Sequence, residues 1–304
     1  MLSRLLPAGL LVLATSYSFA AEPIRVLLLD GQSGGPYHNW QLVTPVLKKQ
    51  LEQAGVFQVE VLTAPKSDGD FSGFHPDFKK YQVVVSNLDS PEWPDNLKKE
   101  FEEYMQAGGG FVAVHAADNA FAGWAAYNQM IGIGGWRGRT EKSGPLWYIR
   151  DGKLVSDPAP GSAGSHGARW PYAVTTQQPD HPIVKGLPKS WMHAGDELYA
   201  TLRGPGQNMN VIATARSEST NRGTGRDEPV LMTLNFGKGR IFHTIMGHDV
   251  PALSCVGFIA TFQRGTEWAA TGKVTQKVPI DFPTANSVSF RVDIADMDPA
   301  FKKK

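Results

Sequence analysis

Apolar positions along this chain switch between two spacings, consecutive runs and a 3.6-residue stripe, and each switch marks a predicted element. Residues 24–29 form an apolar run ending at Asp30-Gly31, the pattern of a strand buried on both faces. Thr44-Pro45 then supplies a helix cap and first-turn proline, Val46, Leu47, Leu51 and Ala54 make the buried stripe, and Gly55 stops it. Residues 59–62 and 83–85 read as the next strands. The sharpest helical pattern starts at Pro94-Asp95, carries Leu97, Phe101, Tyr104 and Met105 on one face, and stops at Gly108-Gly109-Gly110. Residues 111–114 are a further buried strand that runs directly into His115 and a helix predicted to about Ile131. Repeated strand-helix units with right-handed crossovers make a mostly parallel sheet with helices on both faces, a three-layer α/β fold.

The rhythm breaks over residues 132–170, where Gly, Ser, Arg and Trp follow no period. A stretch of that length is either disordered or a functional excursion, and Trp136, Trp147 and Trp170 favour an excursion over the site. Strands are predicted at 172–175, 197–201, 211–215, 230–235 and 241–245, with Gly237-Lys238-Gly239 as the turn between the last two. A helix over 254–269 buries Val256, Phe258, Ile259 and Phe262. Residues 21–272 thus read as one α/β domain, followed by an extended tail over 273–304. In the tail Val288, Phe290, Val292 and Ile294 alternate, which predicts an edge strand or an arm on a second subunit of a homo-oligomer.

Composition narrows the partner. The chain has 304 residues, 41% hydrophobic and 19% charged, enough for a large core and too apolar for disorder. Its 30 lysines and arginines against 29 acids leave no field to draw it to nucleic acid or an anionic membrane, so a small neutral molecule is the expected ligand. One cysteine, Cys255, excludes a disulfide framework and a thiolate metal cluster. Residues 1–20 combine Arg4, a short leucine-rich run and Ser18-Phe19-Ala20, the pattern of a cleavable secretory signal. The expected location is therefore the periplasm or the medium, with no membrane segment after cleavage.

In an open parallel sheet, ligands bind outside the carboxyl ends of the strands. That rule selects Asp30, Gln32 and His38 after the first strand, Asn87 and Asp89 after the third, His115 and Asp118 after the next, and His248 and Asp249 after the last. His38, His115 and His248 are expected to converge on one centre, because the winding brings their loops to one sheet edge. Three close imidazoles suit a divalent ion such as zinc, nickel or iron, with a position left open for water or a sugar carbonyl. The glycines of Gly31-Gln32-Ser33-Gly34-Gly35 lack the dinucleotide spacing and Gly237-Lys238-Gly239-Arg240 lacks that of a phosphate loop, so no nucleotide cofactor is expected. Asp180-His181-Pro182 reads as a turn, and Cys255 as a structural thiol.

Four ordered segments add a resemblance. Gly110-Phe-Val-Ala-Val-His115-Ala-Ala, Asp180-His-Pro-Ile183 with Gly186-Leu187, Asp196-Glu-Leu-Tyr199, and Gly237-Lys-Gly-Arg240-Ile-Phe with Gly247-His248 are similar to the ThuA-like family, named for trehalose utilisation. The resemblance spans roughly residues 24–270 and implies a flavodoxin-like, class I glutamine amidotransferase-like fold. Where those amidotransferases carry a nucleophilic cysteine, this chain has His115, which removes acyl-enzyme chemistry and leaves a general base or a metal ligand. The resemblance implies as substrate a keto derivative of a disaccharide or glycoside; His115, Glu197 and His248 are the expected catalytic residues and Tyr199, Trp136 and His166 belong to the expected substrate-binding set, while Trp136, Trp147 and Trp170 either stack on sugar faces or are ordinary packing of the excursion. A ketone at C3 acidifies the C2 proton, so one base can start loss of the C1 substituent by elimination or hydrolysis. The competing readings are a non-catalytic sugar-binding protein on the same fold and an amidohydrolase or peptidase with an unfamiliar nucleophile.

Overall fold

The computed structural model describes residues 22–31, 37–66, 68–90 and 92–300. The signal-like segment 1–20 and the predicted ligand residue Gln32 lie outside the described residues. In chain order the first half comprises β1 (Ile24–Gly31), α1 (Trp40–Gln53), β2 (Phe57–Ala64), β3 (Val83–Ser86), α2 (Asp95–Gln106), β4 (Gly110–Val114) and α3 (Ala125–Ile131). The second half adds β5 (Leu146–Arg150), β6 (Lys153–Asp157), β7 (Ser165–His166), β8 (Trp170–Thr176), β9 (Ser190–Asp196), β10 (Tyr199–Ala200), β11 (Asn210–Arg216), β12 (Asp227–Phe236), β13 (Gly239–Thr244), α4 (Val250–Leu253), α5 (Val256–Thr271) and α6 (Val292–Ala295).

The expected α/β frame is present. Strands β2-β1-β3-β4-β13 lie side by side and pair in parallel, and the sheet continues through β12, β11, β8 and β9 with antiparallel pairing. Strand alternation puts helices on both faces. Phe111 of β4 meets Phe101 of α2 and Tyr127 of α3, while Phe242 of β13, in register with Val112, lies under Gly265 of α5. Val26, Leu27, Leu28 and Leu29 are at most 1% exposed, which explains why β1 reads as an unbroken apolar run. Among the described residues no helix is long and apolar enough to cross a membrane.

Several boundaries differ from the sequence reading. Helix α1 begins at Trp40, a turn before Thr44, with Pro45 inside it. The carbonyl that Pro45 leaves unpaired belongs to Gln41, and both residues lie on the exposed face of the helix. The helix predicted from His115 to Ile131 is a tight 3₁₀ turn, His115–Asn119, then α3, separated at Phe121 with φ +52°. The strand predicted at 197–201 is only the two-residue β10, and β9 precedes it unforeseen because its buried His193 and Asp196 hide the apolar alternation. The aperiodic stretch 132–170 holds the hairpin β5–β6, which joins β12 through Ile149. The tail is not an edge strand: beyond a single bridge from Phe290 to Cys255 it turns into α6, whose Ile294 and Ala295 are buried. Lys49 and Gln53 of α1 hold α6 in place through Asp293.

Candidate functional site

Three loops at the carboxyl edge of the parallel strands deliver three imidazoles to one point. His38 precedes α1, His115 follows β4 directly, and His248 follows β13. Their ring centroids stand 5.2, 5.3 and 5.3 Å apart, an almost equilateral triangle. His115 sits at a sharp strand-to-turn elbow with φ +40°, a conformation that costs a non-glycine residue ~1–2 kcal/mol and is held by the surrounding structure. Asn87, Val43 and Val114 close around the histidines, leaving a cavity of about 10 Å³, the size of one ion or water.

Hydrogen bonding decides which nitrogen each ring offers. Nδ1 of His115 is 2.6 Å from the carbonyl oxygen of Ile245. A carbonyl only accepts, so Nδ1 carries the proton and Nε2 carries the lone pair. That Nε2 is buried and has no hydrogen-bond partner among the described residues. An unmatched buried acceptor is costly unless something fills it, and the same arrangement is how a metal-binding histidine is oriented by its outer partner. Burial, with His38 and His248 adding to it, holds His115 well below the ordinary imidazole range and so neutral. Burial and the nearby charges of His248, Arg169 and Arg137 push His38 down to about 4. Neutral rings are the form that ligates a cation.

Glu197 completes the set. Its carboxylate is 3.3 Å from Nε2 of His248, and one ligand atom each from His38, His115, Glu197 and His248 lie within 4.8 Å of one another. Ligand atoms at roughly 2.1 Å around a tetrahedral ion are roughly 3.4 Å apart, so small rotations bring the three imidazole nitrogens onto one ion, with the Glu197 carboxylate beside it. Tyr199 backs the cluster, with its ring 4.2 Å from that of His115 and its hydroxyl 3.1 Å from Nε2 of His38. Trp136 packs 4.5 Å from the Tyr199 ring, and His166 faces Glu197 at 3.8 Å.

A family model for trehalose utilisation, ThuA, matches residues 25–269. The chain belongs to the ThuA family. A solved ThuA-like protein from Parabacteroides merdae is 47% identical, with a TM-score of 0.86 over 90% of this chain and 99% of that one. Another, from Bacteroides uniformis, is 21% identical with a TM-score of 0.57 over 86% and 97%, a likeness of fold alone. Among proteins with curated functions none matches.

In this ThuA-family chain the predicted residues divide clearly. His38, Asn87, His115, Trp136, His166, Glu197, Tyr199 and His248 gather at the centre. Asp249 lies at its edge, where it caps α4 through the amide of Ala252 and pairs with Arg169 at 2.7 Å. Asp30 is not among the residues that line the cavity: it is 2% exposed and hydrogen-bonds Thr63 and Thr44, and burial holds its carboxyl above the usual range. Asp89 is buried against Arg137 at 2.8 Å. Asp118 is fully buried 3.2 Å from Nε2 of His243, a core pair closed to any substrate. Trp147 is spent on packing, its indole donating to the Gly204 carbonyl, and Trp170 lines a separate cleft. Cys255 is buried at the start of α5, and His181 accepts the amide of Ile183 within its turn.

Two functional neighbours escaped the sequence reading. Arg169 places Nη2 2.7 and 2.8 Å from the two ring nitrogens of His248 and Nε 3.4 Å from Glu197. Nothing local marks it, since its partners lie 28 to 80 positions away. Asp196 is 1% exposed and accepts four hydrogen bonds, from the amides of Glu197, Gly247 and His248 and from Nε2 of His193 at 2.9 Å. One carboxylate therefore pins both the Glu197 segment and the His248 loop. Its only signal was its place beside Glu197 in the Asp-Glu-x-Tyr motif.

Proposed function

We propose that this ThuA-family chain is an exported carbohydrate-active enzyme whose histidine centre holds a divalent cation and cleaves 3-keto glycosides. The observation that carries the reading is the Nε2 of His115, buried without a hydrogen-bond partner among the described residues, inside a set of three imidazoles and a carboxylate with ligand atoms within 4.8 Å. Imidazole and carboxylate donors suit zinc, nickel or iron. When bound, such a cation supplies positive charge for the oxyanion that develops at C3 of the substrate.

A nitrogen lone pair that ligates a metal cannot also take a proton, so in this reading His115 is a ligand with His38 and His248, and the base is Glu197. Its carboxylate removes the C2 proton, the C2–H electron pair forms the enolate, and collapse of the enolate restores the C3 ketone, makes the C1–C2 double bond and expels the C1 oxygen. The proton that Glu197 took returns to that leaving oxygen. Addition of water across C1–C2 then completes a net hydrolysis. Trp136, beside Tyr199, offers an apolar face to the sugar ring. Export rests on the pattern over residues 1–20, and N-terminal sequencing of the protein from its host is expected to begin at Ala21.

The test is metal analysis of the purified chain together with turnover of 3-keto-trehalose and loss of deuterium from its C2 position. One equivalent of transition metal with C2 exchange is expected. Metal-loaded protein that neither exchanges the C2 hydrogen nor releases glucose overturns the reading.

A further inference from the structure

Trp170 stands apart from the other tryptophans. Trp93 and Trp124 are 5% exposed and Trp191 is 0%, but Trp170 is 64% exposed at the start of β8. Its backbone is nevertheless tied into the sheet opposite Asp196, so the indole projects from a fixed point of the sheet. It forms one side of a cleft of about 430 Å³, within the roughly 300–1,000 Å³ of small-ligand pockets. The same cleft is lined by Arg216, Glu218 and Thr220, all exposed. Arg216 is already paired with Asp227 at 3.4 Å, and the three side chains offer donors and acceptors for hydroxyl groups. An aromatic face in one cleft with such groups matches a pyranose, whose C–H face is apolar and whose rim is hydroxylated.

The cleft adjoins the histidine centre. Gly167 and Ala168 of its wall interleave with His166 and Arg169, and Leu198 interleaves with Glu197 and Tyr199. The ribbon of β7 and β10 pairs His166 with Tyr199 at this junction. Arg169, 46% exposed, and His166, 37% exposed, contact Glu197 and flank Gly167 and Ala168 of the cleft in the chain. We infer that this cleft binds the leaving-group sugar of a two-ring substrate, stacked on Trp170, while the oxidised ring lies at the histidine centre. The inference rests on the keto-glycoside reading for the identity of the first ring.

Trp170→Ala is compared with the unaltered chain, each metal-loaded, on 3-keto-trehalose and on methyl 3-keto-glucoside, which lacks the second ring. The ratio of kcat/KM for the two-ring over the one-ring substrate is expected to fall at least tenfold in the variant. An unchanged ratio overturns the inference. Binding is read separately by titrating the chain with unoxidised trehalose and following the Trp170 indole NMR signal, assigned by its loss in Trp170→Phe. A saturable shift is expected, and its absence overturns the cleft whatever the turnover shows. A shift without turnover of either substrate would instead leave the cleft standing and remove the proposed reaction.

Discussion

Replacing Asp196 by asparagine removes the charge at the point where the site is held together. Burial alone would keep His193 neutral, but the Asp196 carboxylate, with the Cys255 sulfur adding to it, raises His193 to about 9. Burial likewise works against the Asp196 charge, and His193 overrides it, holding the carboxyl well below its usual range. A histidine that titrates near 6.5 unfolded and near 9 folded binds its proton more tightly in the folded state. Its contribution is fully present below pH 6.5 and is lost as pH rises through about 9, a change of about 3 kcal/mol across that window. In Asp196→Asn the imidazole has no counter-charge and stays neutral, and the amide nitrogen points a donor at amides that need an acceptor. The expected loss at pH 6.5 is about 3–5 kcal/mol, the usual cost of breaking a buried pair. The gap between variant and unaltered chain then narrows by about 3 kcal/mol toward pH 9.5. Urea unfolding followed by tryptophan fluorescence, at pH 6.5 and 9.5 with a chelator present, measures both quantities. Parallel pH profiles for the two proteins would refute the reasoning, because they would mean that His193 carries no carboxylate-dependent proton.

Other substitutions probe the remaining links. His115→Ala is expected to lose the bound metal, read by elemental analysis, and to keep its far-UV circular dichroism. Glu197→Gln keeps the metal on the three imidazoles while kcat falls by ~10²–10⁴, the range for a lost general base. On the acid side, His38 holds its proton only below about pH 4 when folded but below ~6.5 when unfolded, so it costs the metal-free chain about 3 kcal/mol as pH falls between those values; His38→Gln lacks that share and keeps the one due to His115, so its loss in thermal melts at pH 6.5 and 4.5 is smaller than that of the unaltered chain. Gly265→Ala should destabilise by ~1–3 kcal/mol although alanine favours a helix by ~1 kcal/mol, because a Cβ there would run into the Phe242 ring; a rise in melting temperature would contradict the packing of α5 on β13.

Much of the frame is written locally. The apolar runs of β1, β3 and β4, the stripe of α2 and its stop at Gly108 are burial patterns with their own period, and burial in a parallel sheet follows directly from them. The placement of His38, His115 and His248 at strand ends was legible for the same reason, since the winding rule needs only the order of strands and helices. Partner choice was not. His115 finds the Ile245 carbonyl 130 positions away, and Asp196 finds Gly247 51 positions away. No local period encodes such pairs, because crossovers and antiparallel register decide which loops meet. The same holds for Asp118, a strand-end acid in the sequence, which the fold turns inward against His243. Trp170 likewise reads as one of three aromatics in an irregular stretch, and only the pairing of β8 with β9 leaves it exposed over a cleft. Sequence pattern thus determined which residues are inside and which strand ends carry the histidines, whereas tertiary contact alone decided which imidazole nitrogen lacks a partner among the described residues, which carboxylate is buried and which tryptophan lines a cleft.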